Sequence, residues 1–294
     1  MSLDPIARVR RFNRAVTSEV GALDISFLGR GRPLGAARVL NAIGHGRGDV
    51  AAIRDYLDLD SGLMSRLLRG LEEEGLVETI VHPDDARRRN VRLTTRGQRE
   101  YDAYESLSNA QAEAILARHP RREDLLAAMD LVASALGRTR ITIETMDPRC
   151  ETARYCLGEY YAELARRFET GFDVSLSRDP DAKDMIRPRG AFLVAMSDGI
   201  PLGCVGLKGG RGYAEVKRLW VAPSARGLGL ARKLMAATEA AARDLSIKVL
   251  RLDTNRALPE ALQLYRSTGW TEIERFNDDP YPDCFFEKVL GAGN

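Results

Sequence analysis

The sequence predicts two domains: a mainly helical domain with a small two-stranded hairpin, then an α/β domain. Three observations predict this. The chain has 294 residues, 44% hydrophobic and 29% charged, enough for two domains of ordinary size, each with its own core. Up to Leu136 the pattern is helical, interrupted by one alternating pair, LVETIV and NVRLTT. After GRTR (137–140), strands and helices intermix. The domains are therefore placed at 1–138 and 141–294.

In the first half, Ile6, Val9, Phe12, Val16, Val20 and Leu23 recur at roughly helical spacing and predict a helix over 5–27. GRGRPLG (29–35) ends it. Short helices follow at about 35–44 and 49–57, the second started by Asp49 as N-cap. Asp60 or Ser61 caps a helix through SGLMSRLLRGLEEEG, and Gly75 closes it. The strands LVETIV and NVRLTT are joined by the charged turn HPDDARRR. From Arg96 to Leu136 the pattern is helical again, and a break near HPRRED (119–124) divides it in two.

In the second half, ITIETM reads as a strand and 149–169 as a helix, with Tyr155, Leu157, Tyr160, Leu164 and Phe168 partly facing a core. Residues 171–190 are loop-like. AFLVAM, LGCVGL and AEVKRLWV read as strands, the first two joined by SDGIP. A helix over about 229–245, the strand KVLRLDT, the helix PEALQLYRST and the strands TEIERF and CFFEKVL complete the chain.

Composition excludes several classes. No run of about 18 apolar residues exists, so no membrane span is expected. The N-terminus, MSLDPIARVRRFNRAV, lacks a signal core, and cytoplasmic residence follows. Cys150, Cys156, Cys204 and Cys284 form no C-x-x-C pair and read as reduced and mostly packed. His45, His82 and His119 are scattered, so no metal site is expected. The net charge of +2 is small, but the stretch from Arg87 to Arg99 holds six arginines and no acid. Alone, such a run fits a solvated face as well as a nucleic-acid contact.

The stretch RLWVAPSARGLGLARKLM (218–235) carries the chemistry of the second half. A strand ends at Val221, and Pro223, lacking an N–H, stops the ladder. Arg226, Gly227, Leu228, Gly229, Leu230 and Ala231 lead into a helix whose first N–H groups have no internal partner and suit an anion. Glycines let those groups approach it, and Arg226 adds a donor fork. The turn suits a phosphate or pyrophosphate, and by itself it also fits an ordinary helix start. It is neither G-x-G-x-x-G, since Arg232 stands at the third glycine, nor a Walker P-loop.

The order strand–PSARGLGLA–helix–LRLDTN–ALQLYRSTGW resembles the GNAT N-acetyltransferase superfamily over about 141–291. Arg226–Ala231 matches its R-x-x-G-x-[GA] loop. The resemblance implies a GNAT fold with a mixed central sheet and acetyl-CoA as co-substrate. It implies that Leu219, Trp220 and Val221 pair with the pantetheine arm as an added strand would, and that amides of Arg226, Gly227, Leu228, Gly229, Leu230 and Ala231 hold the pyrophosphate. Asn255 stands where the family often places a polar cofactor contact. Tyr265 is the implied general acid for the departing thiolate, and Glu215, six residues before Val221, the implied base for the amine. The expected reaction is direct transfer in a ternary complex. Arg187, Arg189, Lys217 and Arg218 are candidates for an acceptor carboxylate, and FNDDPYPDCFF (276–286) for closing over an amine; both also fit plain surface.

The helix order of the first half fits a winged helix-turn-helix, with 49–57 and 61–74 as the two-helix unit. The second helix of such a unit enters the major groove, which makes Ser61, Ser65, Arg66 and Arg69 the groove-facing candidates. SGLMSRLLRGLEEEGLV and DDARRRNVRLTTRG resemble the MarR family over about 5–138. The resemblance implies that Asp85 fixes the wing and that Arg87, with Arg88 beside it, meets phosphate or the minor groove. His82 departs from it, standing where an arginine is usual. Also implied is a homodimer through the first and last helices, matched to a palindromic operator in double-stranded DNA. The combined expectation is a regulator that also acetylates an amine of a small molecule or protein. The alternatives are an enzyme whose first half serves only dimerisation, and a regulator sensing acetyl-CoA or a metabolite through a silent acetyltransferase fold.

Overall fold

The computed structural model describes residues 4–82, 85–169, 171–176, 182–210 and 212–291, without the side chains of 81–88. The chain divides into two compact units, Met1–Arg122 and Glu123–Asn294.

In the first unit, α1 (Pro5–Glu19) is capped by Asp4, whose carboxylate accepts from the Ile6 and Ala7 amides. It stops eight residues short of the expected 27. Gly21 adopts φ +63°, and the Gly21 and Ala22 amides close back on the carbonyls of Ser18 and Thr17, a two-bond glycine stop. The apolar spacing continued past that glycine and concealed it. α1 buries none of its residues, and Ile6, Val9, Phe12 and Val16 line one exposed face.

The helices α2 (Leu34–Gly44), α3 (Val50–Leu57) and α4 (Ser61–Glu73) follow as expected. Asp49 accepts from the Ala52 amide, and Asp60, not Ser61, caps α4 by accepting from the Leu63 amide. α4 points Met64, Leu68 and Leu71 into a core shared with Val39, Leu40 and Ile43 of α2 and Ile53 of α3. Gly75, at φ +68°, ends α4 with the same two-bond stop. β1 (Val77–His82) and β2 (Asp85–Leu93) form an antiparallel wing, and Asp49 adds a single bridge to Asn90.

The long helix α5 (Thr95–Ala117) starts under the wing, with Thr94 capping the Gly97 amide. A Cβ on Gly97 would run into the Leu76 carbonyl. Gly97→Ala is therefore expected to destabilise this unit by about 1–3 kcal/mol, seen as a lower urea midpoint of its far-UV transition. An unchanged midpoint would mean that the contact between α5 and Leu76 yields freely.

The second unit holds α6 (Arg122–Leu136) and a seven-stranded sheet in the order β3-β4-β5-β6-β7-β9-β8. The strands are β3 (Thr142–Met146), β4 (Ala191–Ser197), β5 (Ile200–Gly209), β6 (Ala214–Val221), β7 (Val249–Thr254), β8 (Thr271–Ile273) and β9 (Cys284–Val289). Only β6 and β7 pair in parallel, so the sheet is mixed. α7 (Glu151–Arg167) covers one face, packing Ala153, Cys156 and Leu157 on Phe192, Val194 and Trp220. α8 (Leu230–Asp244) and α9 (Pro259–Ser267) cover the other through Leu230, Leu234, Met235 and Tyr265. Tyr155, expected to face the core in part, is 53% exposed, because α7 turns Ala153, Cys156 and Leu157 inward instead.

Two irregularities in β6 open the sheet. Arg218 has φ +58°, and opposite it the register jumps from Cys204↔Trp220 to Gly206↔Lys217, so two residues of β6 face one of β5. The bulge offsets the alternation: Ala214 and Val216 before it, and Leu219 and Val221 after it, all meet the α8 core, while Trp220 meets the α7 core. Second, β6 and β7 pair only from Ala214↔Leu250 to Val216↔Leu252 and then part. β6 continues against β5, and β7 against β9, leaving a V-shaped gap between the two parallel strands.

Candidate active site and nucleic-acid face

The gap between β6 and β7 opens into two adjoining hollows that share the walls Tyr160, Leu164, Leu219, Leu258 and Ala261 and together form a cleft. Its deep end is walled by Lys217, Arg218 and Leu219 of β6 facing Asp253, Thr254 and Asn255. Its outer end runs past Leu219, Trp220 and Val221 to Arg226, Gly227, Gly229, Leu230 and Ala231. Leu228, half-buried, belongs to the same turn. The structure thus brings together the strand end and the glycine turn singled out from the sequence.

At the outer end, Gly227 and Gly229 adopt φ +77° and +79°, and a Cβ on either would meet open space. Their contribution is conformational: a side chain is disfavoured there by the backbone angle, not by crowding. Gly229 is the N-cap of α8, and no side chain caps that helix. Its leading amides carry the partial positive charge of a helix start at the cleft's outer end. Arg226 turns away from the turn it begins. Its Nε donates to the Val221 carbonyl at 3.1 Å, and its Nη2 lies 2.5 Å from Glu163 on α7. Glu163 also pairs with Arg167, which reaches on to Glu260 of α9. Sequence reasoning missed this chain of ion pairs, because its members come from three separate helices and turns.

At the deep end, Tyr265 of α9 is 6% exposed, its ring set against Trp270 and Phe286. Burial first, and then the Asp253 charge, hold its hydroxyl well above the usual phenol range, so it keeps its proton. Lys217 gathers three carboxylates: Asp253 at 2.6 Å, Glu215 at 3.5 Å and Asp279 at 3.6 Å. Burial opposes its charge, but these neighbours, Asp253 above all, outweigh that and keep the ammonium above the ordinary lysine range. Asp253 also accepts from Asn277 at 2.6 Å.

Glu215 is 8% exposed and lies where β6 and β7 are still paired, outside the cleft wall. Its Oε2 has no hydrogen-bond partner and reaches the cleft only through Lys217. Asn255 lines the cleft, but its side chain is engaged at both ends, donating to the Tyr281 carbonyl and accepting from the Ala257 amide. Lys217 and Arg218 are cleft residues. Arg187 and Arg189 are not among them; they are exposed, beside Asp244 and Asp184. The 276–286 stretch does reach the site, through Asp279 and Tyr281. Asp253 escaped the sequence reading, although a carboxylate at the end of the strand VLRLDT was the available signal.

In the first unit, Ser61, Ser65, Arg66 and Arg69 are all exposed, on the side of α4 away from Met64 and Leu68. The Ser65 hydroxyl bonds back to the Ser61 carbonyl. In the wing, Arg89 is exposed, and Arg92 pairs with Glu78 at 2.7 Å. The side chains of Asp85, Arg87 and Arg88 lie outside the described residues.

The acetyltransferase (GNAT) family model matches residues 157–270, and the MarR family model matches residues 30–88. An IAA acetyltransferase of Azospirillum brasilense is 35% identical over 116 residues, which cover 37% of this chain and 74% of that protein. An uncharacterised N-acetyltransferase of Schizosaccharomyces pombe is 35% identical over 105 residues, covering 35% of this chain and 64% of that protein. A solved acetyltransferase of the GNAT family from Staphylococcus aureus Mu50 covers 51% of this chain and 99% of its own, at 19% identity and a TM-score of 0.45.

Proposed function

Because this chain belongs to the GNAT acetyltransferase family and carries a MarR-family domain ahead of it, we propose that one polypeptide acetylates an amine and binds DNA. The domain limits proposed are 1–138 and 141–294. The observation that carries the enzymatic reading is the cleft itself, which has an uncapped helix start at its outer end and a buried, protonated phenol at its deep end.

In this reading acetyl-CoA supplies the acetyl thioester. The amides from Arg226 to Ala231 hold its pyrophosphate, and the free edge of β6 at Leu219, Trp220 and Val221 pairs with its pantetheine arm. Asn255 braces the far wall, where its main chain meets the cofactor. The acceptor nitrogen, once neutral, attacks the thioester carbonyl carbon; the C–S bond breaks, and Tyr265 gives its phenolic proton to the leaving sulfur. The acceptor proton passes to the carboxylates around Lys217. Glu215, whose Oε2 is paired with Lys217 but accepts no hydrogen bond, receives it through an intervening water. Holding both reactants in one cleft supplies much of the rate.

The MarR-family half is proposed to bind a palindromic operator. α4 would present Ser61, Ser65, Arg66 and Arg69 to the major groove, while Asp85 would steady the wing and Arg87 and Arg88 would meet the backbone or minor groove. The exposed face of α1, Ile6, Val9, Phe12 and Val16, supports a homodimer through the terminal helices, since an apolar stripe of that length calls for a partner.

One preparation tests both halves. Thiol release from acetyl-CoA is expected with at least one member of an amine panel. Binding to a DNA fragment from the protein's own promoter region is expected to weaken steeply with salt, and further in Arg87→Ala. Coenzyme binding without thiol release would point to the sensor reading. Absence of DNA binding at low salt would leave the first half as a dimerisation module.

A further inference from the structure

Beyond Tyr265 the cleft wall becomes aromatic. Tyr161 of α7 stacks on Phe172 with ring centres 5.7 Å apart, and Phe172 meets Tyr281 at 4.6 Å. Phe168, at the end of α7, touches both Phe172 and Tyr281. These four rings come from α7, the loop after it and the segment before β9, and all four line the cleft. Tyr281 fastens the two loops together, since its hydroxyl accepts from the Asp173 amide at 2.8 Å and lies 3.3 Å from the Asp173 carbonyl. Such a clasp holds flat rings in fixed positions and preserves an aromatic wall.

The charges in the same wall are sorted. Asp253, whose charge acts on the Tyr265 hydroxyl, is joined to Asp279 through Lys217. Arg218 sets its guanidinium over the Tyr161 ring, with Lys208 also in the wall. Among the described residues, the anionic groups of the wall therefore collect beside the phenol, where the acceptor nitrogen must arrive. An ammonium is drawn to that end, and the rings beyond it offer their faces to an apolar, flat body.

We propose that the acceptor is a small primary arylalkylamine, its ammonium end at Asp253 and Asp279 and its ring laid against the Phe172–Tyr281 pair. This rests on the acetyltransferase reading and specifies its second substrate. A linear polyamine would leave the rings uncovered and set its second charge against Arg218. A peptide lysine would do the first and would also have to bring its main chain past the Tyr281–Asp173 clasp.

The test compares phenethylamine and tryptamine with spermidine and a lysine-containing peptide, using the full chain and thiol release from acetyl-CoA. The arylalkylamines are expected to have kcat/KM at least about tenfold above the others. Phe172→Ala is expected to raise their KM by about tenfold, the size of a lost aromatic contact with its buried area, and to leave acetyl-CoA affinity by calorimetry unchanged. Preference for spermidine or the peptide, or a Phe172→Ala effect equal for every amine, would overturn the proposal. If the coenzyme binds and no arylalkylamine is acetylated, the acceptor class is wrong and the coenzyme site stands. If the coenzyme does not bind, both readings fall.

Discussion

Replacing Tyr265 by Phe is expected to slow thiol release by about 10²- to 10⁴-fold, the usual weight of a positioned proton donor, while acetyl-CoA affinity changes by less than about threefold. The ring is packed by Trp270 and Phe286, and Phe keeps that packing, so the substitution removes the hydroxyl and little else. The sign of the pH dependence comes from the environment. Burial, reinforced by Asp253, disfavours the phenolate, so the donor is lost only above the ordinary phenol value of about 10. Between pH 6 and 9 the wild-type and Phe profiles should run parallel, separated by a constant factor. A basic limb present in the wild type below pH 9 and absent from the variant would contradict a phenol kept protonated by burial. Equal losses in turnover and coenzyme affinity would remove the acid role.

Gly229→Val is the second large effect. Its φ of +79° lies in the left-handed region, which costs a side-chain-bearing residue roughly 1–2 kcal/mol and a β-branched one more. The start of α8 is expected to rearrange to relieve that cost, and the leading amides turn away from the cleft. Each charge-assisted hydrogen bond to a phosphate is worth about 1.5–3 kcal/mol. Losing two corresponds to an affinity drop of about 10²- to 10⁴-fold, measurable by calorimetry. The added side chain would occupy open space, so the unit should lose no more stability than that backbone cost and should still melt cooperatively. An unchanged Kd would take the turn out of the coenzyme site.

Both variants target features legible in the amino-acid order, because Arg226–Ala231 and the YRSTGW segment are local patterns. Element order was legible for the same reason: caps such as Asp49, Asp60 and Gly75 act within a few residues. What escaped notice is assembled at a distance. Arg226, Glu163, Arg167 and Glu260 link up only once α7, the glycine turn and α9 are in place, and Phe172 and Tyr281 are over a hundred positions apart in the chain. Glu215 is the reverse case. Strand spacing put it on the right strand, but only the point at which β6 leaves β7 reveals that it stops short of the wall. Gly21 was visible and passed over, since Leu23 continued the apolar spacing beyond it.

The bulge at Arg218 has one more consequence. It is set by the backbone conformation of β6, so the gap between the two parallel strands is open in this structure. A pantetheine arm entering it breaks no ladder hydrogen bonds. The site is preorganised, and the binding energy of the nucleotide end remains available for orienting the thioester. Removing that single extra residue would do more than shorten a strand. It would straighten the edge, let the neighbours zip together, and leave the coenzyme to compete with the sheet's own hydrogen bonds.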